Sequence, residues 1–350
     1  MGDGLLFNLN RKNVMKENTR LVQIAHKSKG RKLAVVAEPF LVLLNNITSV
    51  YQLALQAIDS SQNIQNIIDA NVSQEKIEYN EVYNGSSAWK LLPSFDNPDT
   101  PTNCIVSGTG LTHHSSALNR NVMHQTETGT LTDSMKVYQW GVEGGKPGRG
   151  KIGIQPEWFY KGTGSVLTAH GQPLIVHNFG NDGGEEPEIA AIYIIDREGQ
   201  PVRIGFTTAN EFSDHIMEKK NYLYLAPSKL RTCSIGPELV LTNDFSELKG
   251  SVRVSRNGTN LWSSEIQTGE NTMAHSLENL EYHHFKYQDH RQPLQAHVHF
   301  FGTGAFSFGA GIKLQTGDEM EVHWQGMGRA LVNPIKIETT EEKLVTVKTL

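Results

Sequence analysis

Residues 183–215 read GGEEPEIAAIYIIDREGQPVRIGFTTANEFSDH, and the fold turns on them. Ile189 to Ile195 is an unbroken apolar run, which reads as a strand buried on both faces. Arg197 to Gln200 has the character of a turn, and Val202 to Thr208 reads as a second strand, so the two are expected to pair antiparallel. With the hairpin centred near Glu198 and Gly199, paired positions sum to about 397, which sets Glu211 opposite Glu186. Side chains alternate across a strand, so Glu186 and Glu188 share a face while Glu185 points the other way. A register slip of one or two residues still leaves Glu186, Glu188 and Glu211 at the same open end.

Three carboxylates converging beside an apolar strand repel one another, and their pKa values rise unless a cation compensates. A hard divalent ion with oxygen ligands answers that problem, and Mg²⁺ keeps positions open for water or substrate oxygens. The plainer alternative is a solvated acidic strand end with no ion. The abutting buried strand favours the ion.

Working outward, 350 residues at about 150 per domain give roughly two domains. Cys104 and Cys233 are too few for a disulfide framework and fit a reducing, cytoplasmic setting. With 32 Lys and Arg against 37 Asp and Glu, the chain lacks the basic excess that holds nucleic acid. A composition of 38% hydrophobic and 20% charged residues is that of a globular chain. The N-terminus MGDGLLFNLNRK has no signal-peptide pattern, and Leu6 stands where myristoylation wants Ser or Thr. The apolar stretch Leu33 to Leu44 is short and broken by Glu38 and Pro39, so no membrane span is expected.

Residues 32 to 44 read as strands and 49 to 70 as a helix, a small α/β front end. The polar passage Pro93 to Asn103 marks a boundary, giving an N-terminal domain of residues 1–102 and a larger β-rich catalytic domain of residues 103–350, α+β in class. The second part carries strands at Ile105–Ser107, Leu174–His177, Leu239–Thr242, His297–Phe301 and Met320–Trp324. Asn257-Gly258 predicts a hairpin within Val252–Trp262, because both turn positions need positive φ. Met273, Leu277, Leu280 and His284 recur at helical spacing. Gly141 to Gly150, with Lys146 and Arg149, reads as a glycine-rich loop and a candidate lid.

An ordered series of motifs resembles the fumarylacetoacetate hydrolase superfamily over roughly residues 103–335. They are Gly108-Thr109-Gly110 with His113 and His114, the string PEWFYK ending at Lys161, the Glu-x-Glu of Glu186 and Glu188, Asn210-Glu211-Phe212-Ser213, Ile235-Gly236-Pro237, Gly302-Thr303-Gly304 and Gly317-Asp318. The resemblance implies a mixed β-roll catalytic domain that binds Mg²⁺ or Mn²⁺ through Glu186, Glu188 and Glu211. Glu211 stands where the family usually has Asp. In the hydrolytic branch a His is followed three residues later by a Glu, and the pair activates water; here those positions are Ser116 and Ala117, which lowers hydrolysis, although Glu127 lies nearby.

The strings GTGLTHH, DSMKVYQWGVEGGKPGRG, QPEWFYKG, GGEEPEIA, NEFSDH and HVHFFGTG resemble the sugar-acid branch of that superfamily. That likeness implies dehydration of a 2-keto-3-deoxy-pentonate, such as the L-arabinonate-derived one, to 2-oxoglutarate semialdehyde through an enolate. Hydrolysis of an acylpyruvate or 2,4-diketo sugar acid is the alternative, and non-catalytic sugar-acid binding is a third reading. His113 or His114 is expected as general acid/base, with Lys229 and Lys161 holding the substrate carboxylate or enolate. Gly302 and Thr303 match the segment that contacts the substrate carboxylate in the family. The family's habit and the frequency of two-fold assemblies point to a homodimer. His297 and His299 share a strand face and invite a zinc reading, but no acid or cysteine completes a set, so they are expected to line a strand beside the pocket.

Overall fold

The structure is a computed structural model that describes residues 18–115, 117–118, 131–302 and 304–350. The front segment forms β1 (Arg20–His26), β2 (Gly30–Ala37), β3 (Phe40–Leu44), helices α1 (Val50–Ser60) and α2 (Ile64–Asn71), β4 (Val72–Glu78), α3 (Tyr79–Tyr83) and β5 (Lys90–Leu91). Next come β6 (Cys104–Gly108), α4 (Asp133–Gly144), β7 (Phe159–Thr163), β8 (Leu167–Thr168), β9 (Leu174–Val176), β10 (Pro187–Ile195) and β11 (Pro201–Asn210). They are followed by α5 (His215–Lys220), α6 (Leu225–Lys229), β12 (Cys233–Val240), β13 (Leu248–Arg256) and β14 (Thr259–Thr268). The remaining elements are α7 (Leu277–Phe285), β15 (Ala296–Phe300), β16 (Glu319–Trp324) and β17 (Leu331–Ile337).

Two mixed sheets with flanking helices make the α+β fold. The larger runs β4-β3-β2-β1-β12-β11-β10-β15-β6-β7, with β5 added to β1 and β8 to β12; the smaller runs β14-β13-β16-β17-β9. The front strands continue into the rest of the large sheet, since β1 pairs antiparallel with β12 through Leu21 and Leu239. No helix among the described residues is long and apolar enough to cross a membrane.

All nine residues of β10 are buried, as its apolar run requires. Ala190, Ile192 and Ile194 pack on one side with Val298, Phe300 and the α1 residues Val50 and Leu53. Ile189, Ala191 and Tyr193 pack on the other with Trp324, Leu277 and Leu280. Full burial of a side chain such as Ile192 is worth about 1.5–3 kcal/mol. The hairpin keeps the expected register at its open end, where Pro187 faces Asn210 and Ile189 faces Thr208. A bulge between Ile192 and Tyr193 shifts the pairing by one nearer the turn.

Two local expectations change. Residues 49–70 form two helices, because Ser61 adopts left-handed geometry (φ 53°) and closes α1, and Asn63 caps α2. The first part of the glycine-rich loop is helical: Thr132 caps α4, which continues to Gly144. Gly141 permits this packing, since a Cβ there would lie 2.6 Å from His275 Nε2.

Candidate metal centre

The β10–β11 ladder extends past both strand ends. Glu211 N–H donates to Glu186 O (2.9 Å), and Ser213 and Gly184 exchange backbone bonds of 3.1 and 2.9 Å. Asn210 Oδ1 accepts from Glu186 N (3.1 Å) and pins the turn into the Glu-x-Glu segment. Alternation does the rest: one carboxylate oxygen from each of Glu186, Glu188 and Glu211 lies within 4.8 Å of the others, all buried. Among the described residues this is the one cluster of three or more acids, histidines or cysteines with metal-binding spacing. Glu185 faces away, as alternation demands, and accepts from Ser307 N (2.5 Å) and Oγ (2.9 Å).

Two buried lysines enter the cluster. Lys229 Nζ donates to Glu186 Oε1 (2.7 Å), Glu211 Oε2 (2.7 Å) and Ser213 Oγ (2.9 Å). Lys161 Nζ donates to Glu211 Oε1, to Glu211 O (3.1 Å) and to Phe212 O (2.8 Å). Glu188 Oε2 accepts from Gly302 N (2.7 Å), while its Oε1 is buried with no hydrogen-bond partner.

The protonation tendencies diverge accordingly. Burial opposes ionisation at Glu186, but Lys229 and His215 outweigh it and hold that carboxyl well below its usual range. Burial, reinforced by the charges of Glu211 and Glu186, pushes Glu188 well above it. Glu211 is pushed up to about 7 by burial, against the pull of Lys161 and Lys229. Were all three carboxyls ionised, they would outnumber the ammonium groups of Lys161 and Lys229 in this buried site, where Glu218 also pairs with Lys229 (3.3 Å). A hard divalent cation suits this all-oxygen donor set, and the orphaned Glu188 oxygen is the acceptor such an ion would satisfy.

Several sequence expectations shift. Lys161, read as a substrate holder, has its three ammonium protons matched by three protein acceptors, so here it positions Glu211. Lys229 likewise bridges Glu186 and Glu211. The Gly302 N–H is spent on Glu188. His113 is buried with Nδ1 hydrogen-bonded to Thr112 Oγ1 (2.9 Å) and Nε2 to Thr268 Oγ1 (3.1 Å), and burial lowers it to about 4. His114 is exposed, its ring 5.7 Å from that of Tyr138. Neither imidazole makes a hydrogen bond to the triad. Ser116, Glu127 and Thr303 lie outside the described residues.

Two residues escaped the sequence reading although both stand in quoted motifs. His215, at the end of NEFSDH, hydrogen-bonds Glu186 Oε1 through Nε2 (3.1 Å) and stacks on Phe306 with ring centroids 4.7 Å apart. Glu157, in PEWFYK, is buried and accepts from the Tyr222 hydroxyl (2.9 Å). A carboxylate two residues before a buried aromatic and four before a buried lysine was the available signal.

No family model matches the chain. Over 179 residues it is 30% identical to the "probable 2-keto-3-deoxyxylonate dehydratase" of Haloferax volcanii, covering 50% of this chain and 58% of that protein. Over 122 residues it is 26% identical to the 2-dehydro-3-deoxy-D-arabinonate dehydratase of Saccharolobus solfataricus, covering 33% of this chain and 40% of that one. The chain thus matches about half the length of these curated relatives. In fold it is similar to a solved 2-keto-3-deoxy-D-arabinonate dehydratase complexed with magnesium and 2,5-dioxopentanoate, with a TM-score of 0.67 and 19% identity over 92% of this chain and 100% of that one. Part of the sequence is thus similar to two sugar-acid dehydratases, and the fold is similar to that of a third protein so named.

Proposed function

We propose that this chain is a Mg²⁺- or Mn²⁺-dependent hydro-lyase that converts a 2-keto-3-deoxy-pentonate to 2-oxoglutarate semialdehyde, with Glu186, Glu188 and Glu211 as metal ligands. The observation that carries the reading is the buried triad with one unpaired Glu188 oxygen. The names of the two curated relatives and the product in the similar crystal structure support the substrate class. A bound divalent ion would chelate the carboxylate and keto oxygens of a 2-oxo acid, polarising the carbonyl and acidifying C3.

The protein's own residues supply the rest. Lys229 and Lys161 hold Glu186 and Glu211 in place and limit the charge of the site. Glu157, a buried acid on the segment leading into the strand of Lys161, is the proposed proton acceptor at C3. Its carboxylate accepts from the Tyr222 hydroxyl (2.9 Å). The C4 hydroxyl then leaves with a proton, and tautomerisation through C5 gives the aldehyde. The machinery falls after residue 103, with residues 1–102 as scaffold, in a reducing cytoplasmic setting that suits the two free buried cysteines.

The test uses EDTA-dialysed protein and 2-keto-3-deoxy-arabinonate. Aldehyde is expected on adding Mg²⁺, and equal turnover with and without the ion would refute the metal role. Release of pyruvate in place of the aldehyde would establish the hydrolytic alternative. Loss of aldehyde formation in Glu157→Gln, with metal affinity retained, is expected if Glu157 takes the proton.

A further inference from the structure

After Ser213 the chain leaves the β10–β11 ladder on an excursion through α5 and α6 and returns to the carboxylate cluster at Lys229. The base of the excursion is stitched shut. Asp214 N–H donates to Ser228 O (3.2 Å), and Asp214 Oδ2 accepts from Asn181 N (2.8 Å) and Arg231 Nη2 (3.1 Å). Its inner side is tied to the cluster, since His215 bonds Glu186 and Glu218 pairs with Lys229 (3.3 Å). The tip is one 3₁₀ turn, Tyr222–Tyr224, started by Asn221, whose side chain accepts from Leu223 N (2.9 Å). Leu223 and Tyr224 face water, 83% and 51% exposed, whereas Tyr222 is half-buried and its hydroxyl donates to Glu157 Oε2 (2.9 Å).

The other oxygen of Glu157 is bounded by a different segment. A Cβ on Gly110 would collide with Glu157 Oε1 and lie 2.9 Å from Cδ, so the carboxylate rests against bare backbone in the loop that follows β6. Gly110 does not have positive φ, and its lack of a side chain serves space, not conformation. One buried carboxylate is thus held from two sides by segments far apart in sequence. A base that takes a proton from carbon must stand in one place, because a misplacement of about 1 Å can cost roughly 10²-fold in rate. A hydroxyl donor on one oxygen fixes the plane of the carboxylate and favours its ionised form.

We infer that Tyr222 is the positioning residue for Glu157 and that Gly110 is its seat, so that one excursion ties both the metal ligands and the base. The inference rests on the reading of Glu157 as the acceptor of the C3 proton. In that step the C3–H bond breaks, its electron pair enters the enolate, and an O–H bond forms on Glu157. Tyr222 keeps its own proton throughout and acts only through the carboxylate it holds.

The test compares variants of the full chain with Mg²⁺ and 2-keto-3-deoxy-arabinonate. Tyr222→Phe is expected to lower kcat about tenfold, the worth of one hydrogen bond to a charged group, with KM and Mn²⁺ affinity unchanged. Gly110→Ala, which displaces the carboxylate and keeps its charge, is expected to lower kcat by about 10²-fold with Mn²⁺ affinity retained. Tyr224→Phe, on the same turn, should leave kcat as it was. Within Glu157→Gln, adding Tyr222→Phe is expected to cost nothing more. An unimpaired kcat in Tyr222→Phe, or the same fold loss in both backgrounds, overturns the inference while leaving Glu157 as the base. Full turnover in Glu157→Gln alone takes down the base assignment first and the inference with it. A second measurement needs neither metal nor turnover: with 3-fluorotyrosine at position 222 and EDTA present, the fluorine resonance is expected to move on Glu157→Gln. A resonance that stays fixed overturns the pairing.

Discussion

Two buried polar clusters lie on opposite faces of the sheet around β10, and they differ in one respect. On the face of Ala191 and Tyr193, His297 and His299 meet His284 of α7. His299 is hydrogen-bonded at both nitrogens, to Ser107 Oγ and Thr109 Oγ1 (2.9 Å each). His297 bonds His284 Nε2 (3.0 Å) and Gln295 Oε1 (3.1 Å), and His284 Nδ1 accepts from Trp158 Nε1 (3.2 Å). Burial lowers His297 and His299 to about 3, so the rings are neutral and fully matched. On the face of Ala190 stands the triad, equally buried but with protonation tendencies driven apart and one oxygen unmatched. Neutral groups can be satisfied by their neighbours, whereas converging carboxylates need something from outside. The unsatisfied cluster is where a ligand belongs.

The most severe way to break this contrast is Glu188→Gln. Removing charge from the carboxylate with the orphaned oxygen is expected to weaken Mn²⁺ binding roughly a hundredfold or more, since even indirect neighbours of metal ligands are worth about 10–100-fold. Calorimetric titration measures it, with His297→Gln as the matched change on the opposite face, where affinity should hold. Equal affinities in both variants would dissolve the distinction between the faces.

Lys229→Met comes next. It leaves Glu186 and Glu211 without their shared cation, and breaking a buried pair costs about 3–5 kcal/mol. Urea unfolding in EDTA reads that loss. Saturating Mg²⁺ is expected to shrink the difference, because the ion takes over the neutralising charge. A deficit that Mg²⁺ leaves untouched would mean that the lysine, not a metal, is the natural partner of these acids.

The two faces were also unequally legible in the sequence. The triad could be read because strand alternation and a four-residue turn fix which glutamates meet, and the open-end register follows from counting alone. The roles of the lysines could not, because whether Lys161 faces substrate or a carboxylate depends on β7, a strand three places along the sheet from β10. His215 and Glu157 stayed hidden for the same reason: their partners Phe306 and Tyr222 are brought by other segments. The helix break at Ser61 rests on one backbone conformation that Ser only occasionally adopts. The continuity of the front strands with the main sheet depends on β1 finding β12 more than 200 residues away, which no local pattern announces.

His297→Leu sharpens the contrast from the other side. It strands the His284 Nε2–H, at a cost of about 1–3 kcal/mol, with metal affinity unchanged. The histidines also set a pH dependence. Unfolded, each ring takes a proton near 6.5; folded, His297 and His299 take one only near about 3. Between those values the unfolded chain binds more protons, so their contribution is complete above about pH 6.5 and is lost as the pH falls toward about 3. Denaturant midpoints measured in EDTA should fall over that window, less steeply in His297→Leu. An identical slope would show that the rings are not held neutral by the fold.

The smallest expected effect tests how the histidine face is anchored. Ser276 caps α7 by accepting from Asn279 N (3.2 Å), and α7 delivers His284 to β15. Ser276→Ala removes one acceptor from the helix start at a cost of about 1 kcal/mol. The triad hangs on the β10–β11 ladder, which shares no hydrogen bond with that cap, so the two faces predict different responses to the same change. The thermal midpoint should drop modestly, and the Trp158–His284 contact should loosen, read as a change in tryptophan fluorescence. Mn²⁺ affinity should stay at its original value. A fall in metal affinity that tracks the loss of the cap would mean that the two clusters are one coupled unit through β10, and that the fully matched face helps to set the geometry of the unmatched one.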